Sequence, residues 1–122
     1  MASRSINRPV ATVQTTDATT TTCGTYTVPT SSACMVQARI IGRTAGAVVG
    51  TFWRHIAAQR GGGGAAIVGA EVPVTADQLD AGALLWTAVL DVSGNDVRVR
   101  VTGAAATTIE WISFLDVVTW TP

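Results

Sequence analysis

The sequence has little charge and no lysine. Only 13% of its 122 residues are charged, against about 25% in an average soluble domain, and its eight cations balance eight acids. Without a net positive charge or a basic cluster, nothing attracts the chain to nucleic acid or to an acidic membrane surface. We therefore expect neither nucleic acid nor a membrane among its partners.

Long apolar runs and targeting signals are also missing. No apolar run approaches the roughly 18 residues of a membrane span. No early stretch combines a basic segment, an apolar run and a small-residue cleavage site, as a secretory signal would. The expectation is a protein made in a cytoplasm.

Groups that carry chemistry are scarce. One histidine, His55, and two cysteines, Cys23 and Cys34, cannot build a four-ligand zinc site within one chain. The cysteines fit small buried hydrophobic positions, with a disulfide as the alternative. No Gly-x-Ser-x-Gly motif for a nucleophile is present. We predict no catalytic residue, no cofactor, no metal site and no enzymatic activity.

The acidic residues have structural explanations. Asp91, Asn95 and Asp96 surround a hairpin turn, where short polar side chains satisfy local backbone groups, and a calcium site would need more oxygen ligands. Glu110 and Asp116 share one face of a strand but stand too far apart for a paired-carboxylate site. The four glycines 61–64 lack the following lysine and helix of a phosphate-binding loop and indicate a hairpin tip.

What the sequence has instead is threonine and alternating apolar residues, which favour strands. Turn signals separate the strands at near-regular spacing, which is typical of an antiparallel β-sandwich or a jelly-roll-like barrel. Residues 75–80 predict one helical turn, with Thr75 as its N-cap. The eight predicted strands cover residues 10–15, 21–28, 33–41, 47–59, 65–74, 84–92, 97–101 and 108–120.

The first nine residues are predicted to form an extended arm before a single sandwich domain at 10–122. Arg4 and Arg8 flank Ile6, the arm's one large apolar side chain after Met1. A frayed terminus would have this composition, and so would an arm that crosses onto a neighbouring subunit. Both interpretations stay open.

The last predicted strand is apolar on both faces. One face carries Ile109, Trp111, Leu115 and Val117, and the other carries Ile112, Phe114, Val118 and Trp120. Because a strand with one face in water should be apolar on its other face only, another segment or another subunit must cover the second face. We predict a homo-oligomer, with a trimer as its expected order. The predicted interface residues are Arg4, Ile6, Arg8, Trp53, Ile112, Phe114, Val118 and Trp120.

Three stretches carry a family resemblance: Thr15–Thr19 before a strand, GGGGAAIVG at 61–69, and DVSGNDVRVRVTGAAATTIEW at 91–111. Together they resemble a β-sandwich module of tailed bacteriophages and prophages, found in virion structural proteins and fibres. The resemblance spans about Thr15 to Trp111. The chain departs from the pattern at Cys23, at residues 53–55 and in its apolar C-terminal tail.

The resemblance implies a virion protein made in the host cytoplasm. Its first implication is a capsid decoration (cement) protein that oligomerises and binds the major capsid protein or another virion protein. The alternative is a tail- or head-fibre module that binds a receptor or glycan, for which an exposed Trp53 would provide an aromatic platform.

Overall fold

Two antiparallel β-sheets contain most of the residues that the structure describes. The structure is a computed structural model that describes residues 3–122, with 66% of the chain in strands and 3% in helix. No helix among these residues is long and apolar enough to cross a membrane. The strands are β1 (Ser3–Asn7), β2 (Val10–Thr15), β3 (Thr21–Thr27), β4 (Ser32–Arg43), β5 (Val49–Arg60), β6 (Ala65–Pro73), β7 (Gln78–Leu79), β8 (Thr87–Ser93), β9 (Asp96–Thr102) and β10 (Ile109–Thr121).

The larger sheet has seven strands in the order β1-β10-β4-β5-β6, with β2 also on β10 and β7 also on β5. The long strand β10 is its organising element, because β4 pairs with one edge over almost its full length. β2 and β1 share the other edge, one after the other. The amide of Leu115 bonds the carbonyl of Pro9 at the point where β2 and β1 meet.

The smaller sheet, β3-β9-β8, covers the inner face of the larger one. In both sheets, every second residue of a strand points into the core, because successive side chains of a strand point to opposite faces. Val97, Val99 and Val101, which are alternate residues of β9, are fully buried. From the larger sheet, the ring of Trp111 lies 5.7 Å from that of Trp86, and its Nε1 donates to Thr15 Oγ1 over 2.9 Å. The predicted β-sandwich is confirmed, and the described strands form no closed barrel.

The predicted helical turn at 75–80 is wrong. This segment is extended, with the two-residue strand β7 on β5, and a short 3₁₀ segment follows at Ala81–Ala83. The two acidic side chains of this segment bond to residues that are far away in the sequence. Asp77 accepts from Arg54, and Asp80 Oδ2 accepts from the amide of Val49 over 2.8 Å.

The predicted N-terminal arm is extended, and its described part lies on its own chain. Residues 3–7 form β1, in register with β10 from Ser3 opposite Thr121 to Asn7 opposite Val117. Arg8 Nε then stands 3.6 Å from Asp116 Oδ1. Met1 and Ala2, also part of the predicted arm, lie outside the described residues.

Candidate functional site

The outer face of the larger sheet is the side of β1, β10, β4, β5 and β6 that points away from the smaller sheet. Strand register places residues side by side across this face, because paired residues of adjacent antiparallel strands point to the same side. One cross-strand line is apolar from edge to edge. We call it the apolar row, and it consists of Ile6, Val118, Met35, Ala57 and Val68.

The apolar row is open to solvent. Ile6 is 63% exposed, and Val118 and Met35 are each 50% exposed. Trp120, 47% exposed, lies in the next line, between Arg4 and Ala33. Monomeric proteins rarely leave contiguous apolar patches of this kind in water, and such patches mark interaction surfaces.

The predicted interface residues come together on this outer face. Ile112, Phe114, Val118 and Trp120 project from β10, and no described segment of the chain covers Ile112, Val118 or Trp120, which are about half exposed. Of the remaining predicted residues, Arg4 and Ile6 lie opposite β10, Trp53 lies on β5, and Arg8 reaches the face through its contact with Asp116.

Sequence reasoning missed the contribution of β4. Met35, Arg39 and Ile41 alternate with the buried residues of that strand and face outward beside β10. The signal was present, since the same alternation that places Val36 and Ile40 in the core leaves the odd-numbered residues outside. The alternation of β6 gave no such indication for Val68. Most residues of that strand are exposed, so buried and exposed positions do not alternate along it.

A pocket opens on the same outer face, where the segment after β6 runs along the edge of β5. We call it the Trp53 pocket. The guanidinium carbon of Arg39 lies 4.9 Å from the centroid of the Trp53 ring, in cation–π contact. The pocket has a volume of about 310 Å³ and is lined by Arg39, Ile40, Ile41, Thr51, Phe52, Trp53, Thr75, Ala76 and Gln78.

An ion cluster around the buried side chain of Arg54 holds the wall of the Trp53 pocket in place. Arg54 donates to both carboxylate oxygens of Asp77, over 2.6 and 2.8 Å, and to the carbonyl of Ala88 over 3.0 Å. Glu71 Oε1 lies 3.4 Å from the same guanidinium, and Glu71 Oε2 accepts from the amide of Leu90. Because Asp77 stands between Ala76 and Gln78, the cluster fixes the segment that closes the pocket.

Burial and charge shift the pKa values in this Arg54 cluster. Burial raises the pKa of Glu71, opposed by the amide of Leu90 and by Arg54. Hydrogen bonding to Asp77 raises the pKa of Arg54, so this cation stays charged. The side chains of Glu71 and Asp77 thus lie on either side of one permanently charged guanidinium.

The other chemically active side chains considered from the sequence do not line the pocket. Cys23 and Cys34 are free and buried, and burial raises the pKa of both thiols. Arg98 pairs with Asp91 across the β8–β9 hairpin at 2.8 Å. His55 lies on the outer face between Gln37 and Val72. Within residues 3–122, no group of three or more His, Cys, Asp or Glu side chains is placed to hold a metal ion.

Comparison with known proteins finds similarity among solved structures and nowhere else. No protein-family model and no curated protein matches the chain. Among solved structures, the chain is similar to the tailspike protein gp49 of Acinetobacter baumannii bacteriophage Fri1, a capsular polysaccharide depolymerase, with a TM-score of 0.47 and 14% identity. The match covers 93% of this chain but 17% of the tailspike chain.

This comparison corrects one prediction from the sequence. We predicted that the chain is not an enzyme, and the similar protein is described as a depolymerase, which contradicts that prediction. The prediction is withdrawn. The depolymerase activity is that of the whole tailspike, of which this chain spans less than a fifth of the length.

Proposed function

We propose that the chain is a structural module of a bacteriophage virion, of tail- or head-fibre type, that binds a cell-surface glycan in the Trp53 pocket. Two observations support this proposal. The stretches at 15–19, 61–69 and 91–111 resemble phage β-sandwich modules, and the pocket combines an aromatic ring with a guanidinium. The pairing of Arg39 with Trp53 carries the proposal.

The chemistry of the pocket suits a sugar. Ligand pockets are mostly apolar, with a few polar groups that fix the orientation of the ligand. The guanidinium of Arg39 packs on the indole and keeps its N–H donors for a carboxylate or for hydroxyl groups. Thr51 and Gln78, opposite each other on β5 and β7, add a hydroxyl and an amide. We expect sugars that carry a carboxylate to bind best, because Arg39 can bind the two oxygens together.

The test is a glycan array with the purified chain, followed by calorimetric titration of the best ligand. Arg39→Gln should reduce affinity for an acidic glycan by roughly tenfold or more, the typical effect of losing a charge-assisted hydrogen bond. Arg43→Gln is the matched control, since Arg43 is exposed on the same face of the same strand but does not line the pocket. Equal binding by both variants, or no glycan bound by the native chain, would reject the Trp53 pocket as the site.

Capsid decoration is the second candidate, and the exposed apolar row favours it. A decoration protein needs a surface that packs on capsomers, and apolar residues around Val118 and Met35 offer one. The two candidates differ in location on the particle. After dissociation of purified virions into heads and tails, an antibody against this chain should label tails or fibres under the first proposal. Labelling spread evenly over the head surface would favour decoration.

A further inference from the structure

The first strand, β1, is attached to the larger sheet almost entirely through its backbone. The side chains of residues 4–7 are all exposed, and Ile6, 63% exposed, lies opposite Val118, which is itself half exposed. Between β1 and the smaller sheet lies a cavity of about 500 Å³, lined by Asn7, Arg8, Pro9, Thr25, Tyr26 and Thr27. The inner side of β1 therefore faces open space where the other long strands face the core.

β2, which follows β1 along the same edge of β10, is anchored differently. Val13 packs against the core, and Thr15 is buried and accepts a hydrogen bond from Nε1 of Trp111. Pro9 separates the two strands. Its carbonyl accepts from the amide of Leu115, but proline has no N–H with which to return the bond. The ladder is thus interrupted between a strand that is fixed in the core and a strand that is not.

We propose that β1 is an exchangeable strand, which leaves its own β10 and pairs with β10 of a second copy of the chain, while the β1 of that copy pairs in return. Segments with few buried contacts open at a low cost in free energy. Opening of β1 uncovers the backbone edge of residues 117–121, and a free strand edge is a template for another strand. The proposal does not depend on what the Trp53 pocket binds.

The fit of this edge favours a second copy as the source of the incoming strand. The strand that the structure shows on residues 117–121 is β1 itself, paired in register over all five residues. Each copy carries both the strand and the edge. An exchange between two copies therefore restores every backbone pair and the Ile6–Val118 contact, and it leaves no edge unpaired. A strand of another sequence would have to reproduce this fit without such reciprocity.

The crossing from one copy to the other is short. Arg8 and Pro9 together span at most about 7 Å, and neighbouring strands lie about 4.8 Å apart. The two larger sheets therefore meet edge to edge at these residues, and the cavity beside Pro9 leaves room for the crossing. Arg39 and Trp53 lie on the third and fourth strands from this edge, so the Trp53 pocket stays accessible in both copies.

Disulfide trapping tests the exchange. Bonded and non-bonded pairs alternate in an antiparallel ladder, and the bond to Pro9 makes Ile6–Val118 a non-bonded pair, whose Cβ atoms are close enough for a disulfide. Ile6→Cys chains are mixed with Val118→Cys chains, incubated overnight at about 500 µM and then oxidised. Because neither chain carries both new cysteines, a disulfide between them requires β1 of one chain to lie on β10 of the other.

The matched control is a mixture of Thr12→Cys and Ile112→Cys chains. This pair has the same non-bonded geometry but joins β10 to β2, which is anchored in the core. Thr12 is exposed and Ile112 is 46% exposed, so random collisions link the control chains as readily. The β1 mixture should give at least about ten times more of the linked heterodimer. Equal yields would overturn the proposal. Circular dichroism verifies that all four variants remain folded.

Hydrogen exchange tests the opening of β1 separately. In this register the amides of Ser5 and Asn7 bond to β10, as does the amide of Val13 in β2. The protection factors of Ser5 and Asn7 should be at least about 100-fold lower than that of Val13, because β1 opens alone and β2 opens with the core. Equal protection of the three amides would mean that β1 opens only with the whole sandwich, and the proposal would be wrong.

Discussion

Arg54 on β5 donates two hydrogen bonds to the carboxylate of Asp77, over 2.6 and 2.8 Å, and the arginine side chain is buried while the carboxylate stays partly exposed. This one pair joins the middle of the larger sheet to the segment that closes the Trp53 pocket. The same guanidinium bonds the carbonyl of Ala88 on the smaller sheet. The guanidinium of Arg54 therefore links the larger sheet, the smaller sheet and the pocket wall through its hydrogen bonds.

Replacing this cation is expected to destabilise the fold. Arg54→Met leaves Glu71 and Asp77 without their counter-charge and should lower the free energy of unfolding by about 3 kcal/mol, as for other broken buried pairs. The control is Arg98→Met, because the Arg98–Asp91 pair is more exposed and its loss should cost much less stability. Urea denaturation of both variants gives the comparison. A loss no larger than that of the control would show that the Arg54 cluster is structurally dispensable.

Glu71 makes stability depend on pH in a defined direction. Burial raises the pKa of this carboxyl in the folded state above its usual value of 4.5, so the folded state binds the proton more tightly than the unfolded chain does. Its contribution to stability is present below pH 4.5 and is lost as pH rises through the folded-state pKa. The native chain should therefore lose stability relative to Glu71→Gln over that window. Urea midpoints for both chains between about pH 4 and 8 measure the difference, and a constant difference would contradict the prediction.

Gly42 is expected to tolerate no larger side chain without a loss of stability, because it packs against a buried ring. A Cβ at this position would lie 2.8 Å from the ring of Trp111, which is fully buried and cannot move aside. Gly42→Ala should therefore cost about 1–3 kcal/mol through overpacking. Gly62→Ala is the control, because a Cβ there meets nothing within 4 Å, and it should be neutral or slightly stabilising. Thermal unfolding measures the midpoint temperature of each variant. Equal midpoints for the two variants would contradict the close packing of Gly42 against Trp111.

Both thiols should be protected until the chain unfolds. Cys23 and Cys34 are free and buried, and burial raises their pKa, which keeps them as unreactive thiols. A disulfide reagent at pH 8 should label neither cysteine in the native protein within minutes and both in denaturant. Fast labelling of the native chain would mean that the sandwich opens locally near β3 or β4.

The alternation within each strand was readable from the sequence. Residues such as Val36, Ile40 and Val99 lie in the core and follow a period of two, which depends only on neighbours along the chain. The β2 boundaries, Val10–Thr15, were predicted without error because turn residues follow them directly. The segment at 75–80 was misread because Asp77 suits a helix start as well as it suits an arginine 23 residues away.

The outer face was readable in part. The two apolar faces of β10 indicated that Ile112, Val118 and Trp120 would need a partner, and these side chains are indeed uncovered by the described chain. Their neighbours were not readable. Nothing local to Met35 or Val68 says that both lie in one line with Ile6, because that line crosses five strands.

The sequence by itself determined that this protein is an antiparallel all-β domain, a sandwich or a barrel, and which side of most strands enters the core, since alternation and turn chemistry are local properties. Only the tertiary structure decided that β1 pairs with β10, that Arg54 binds Asp77, and that Arg39 lies over Trp53. The physical reason is that strand order and register depend on contacts between residues far apart in the chain. The same register creates both the apolar row and the Trp53 pocket.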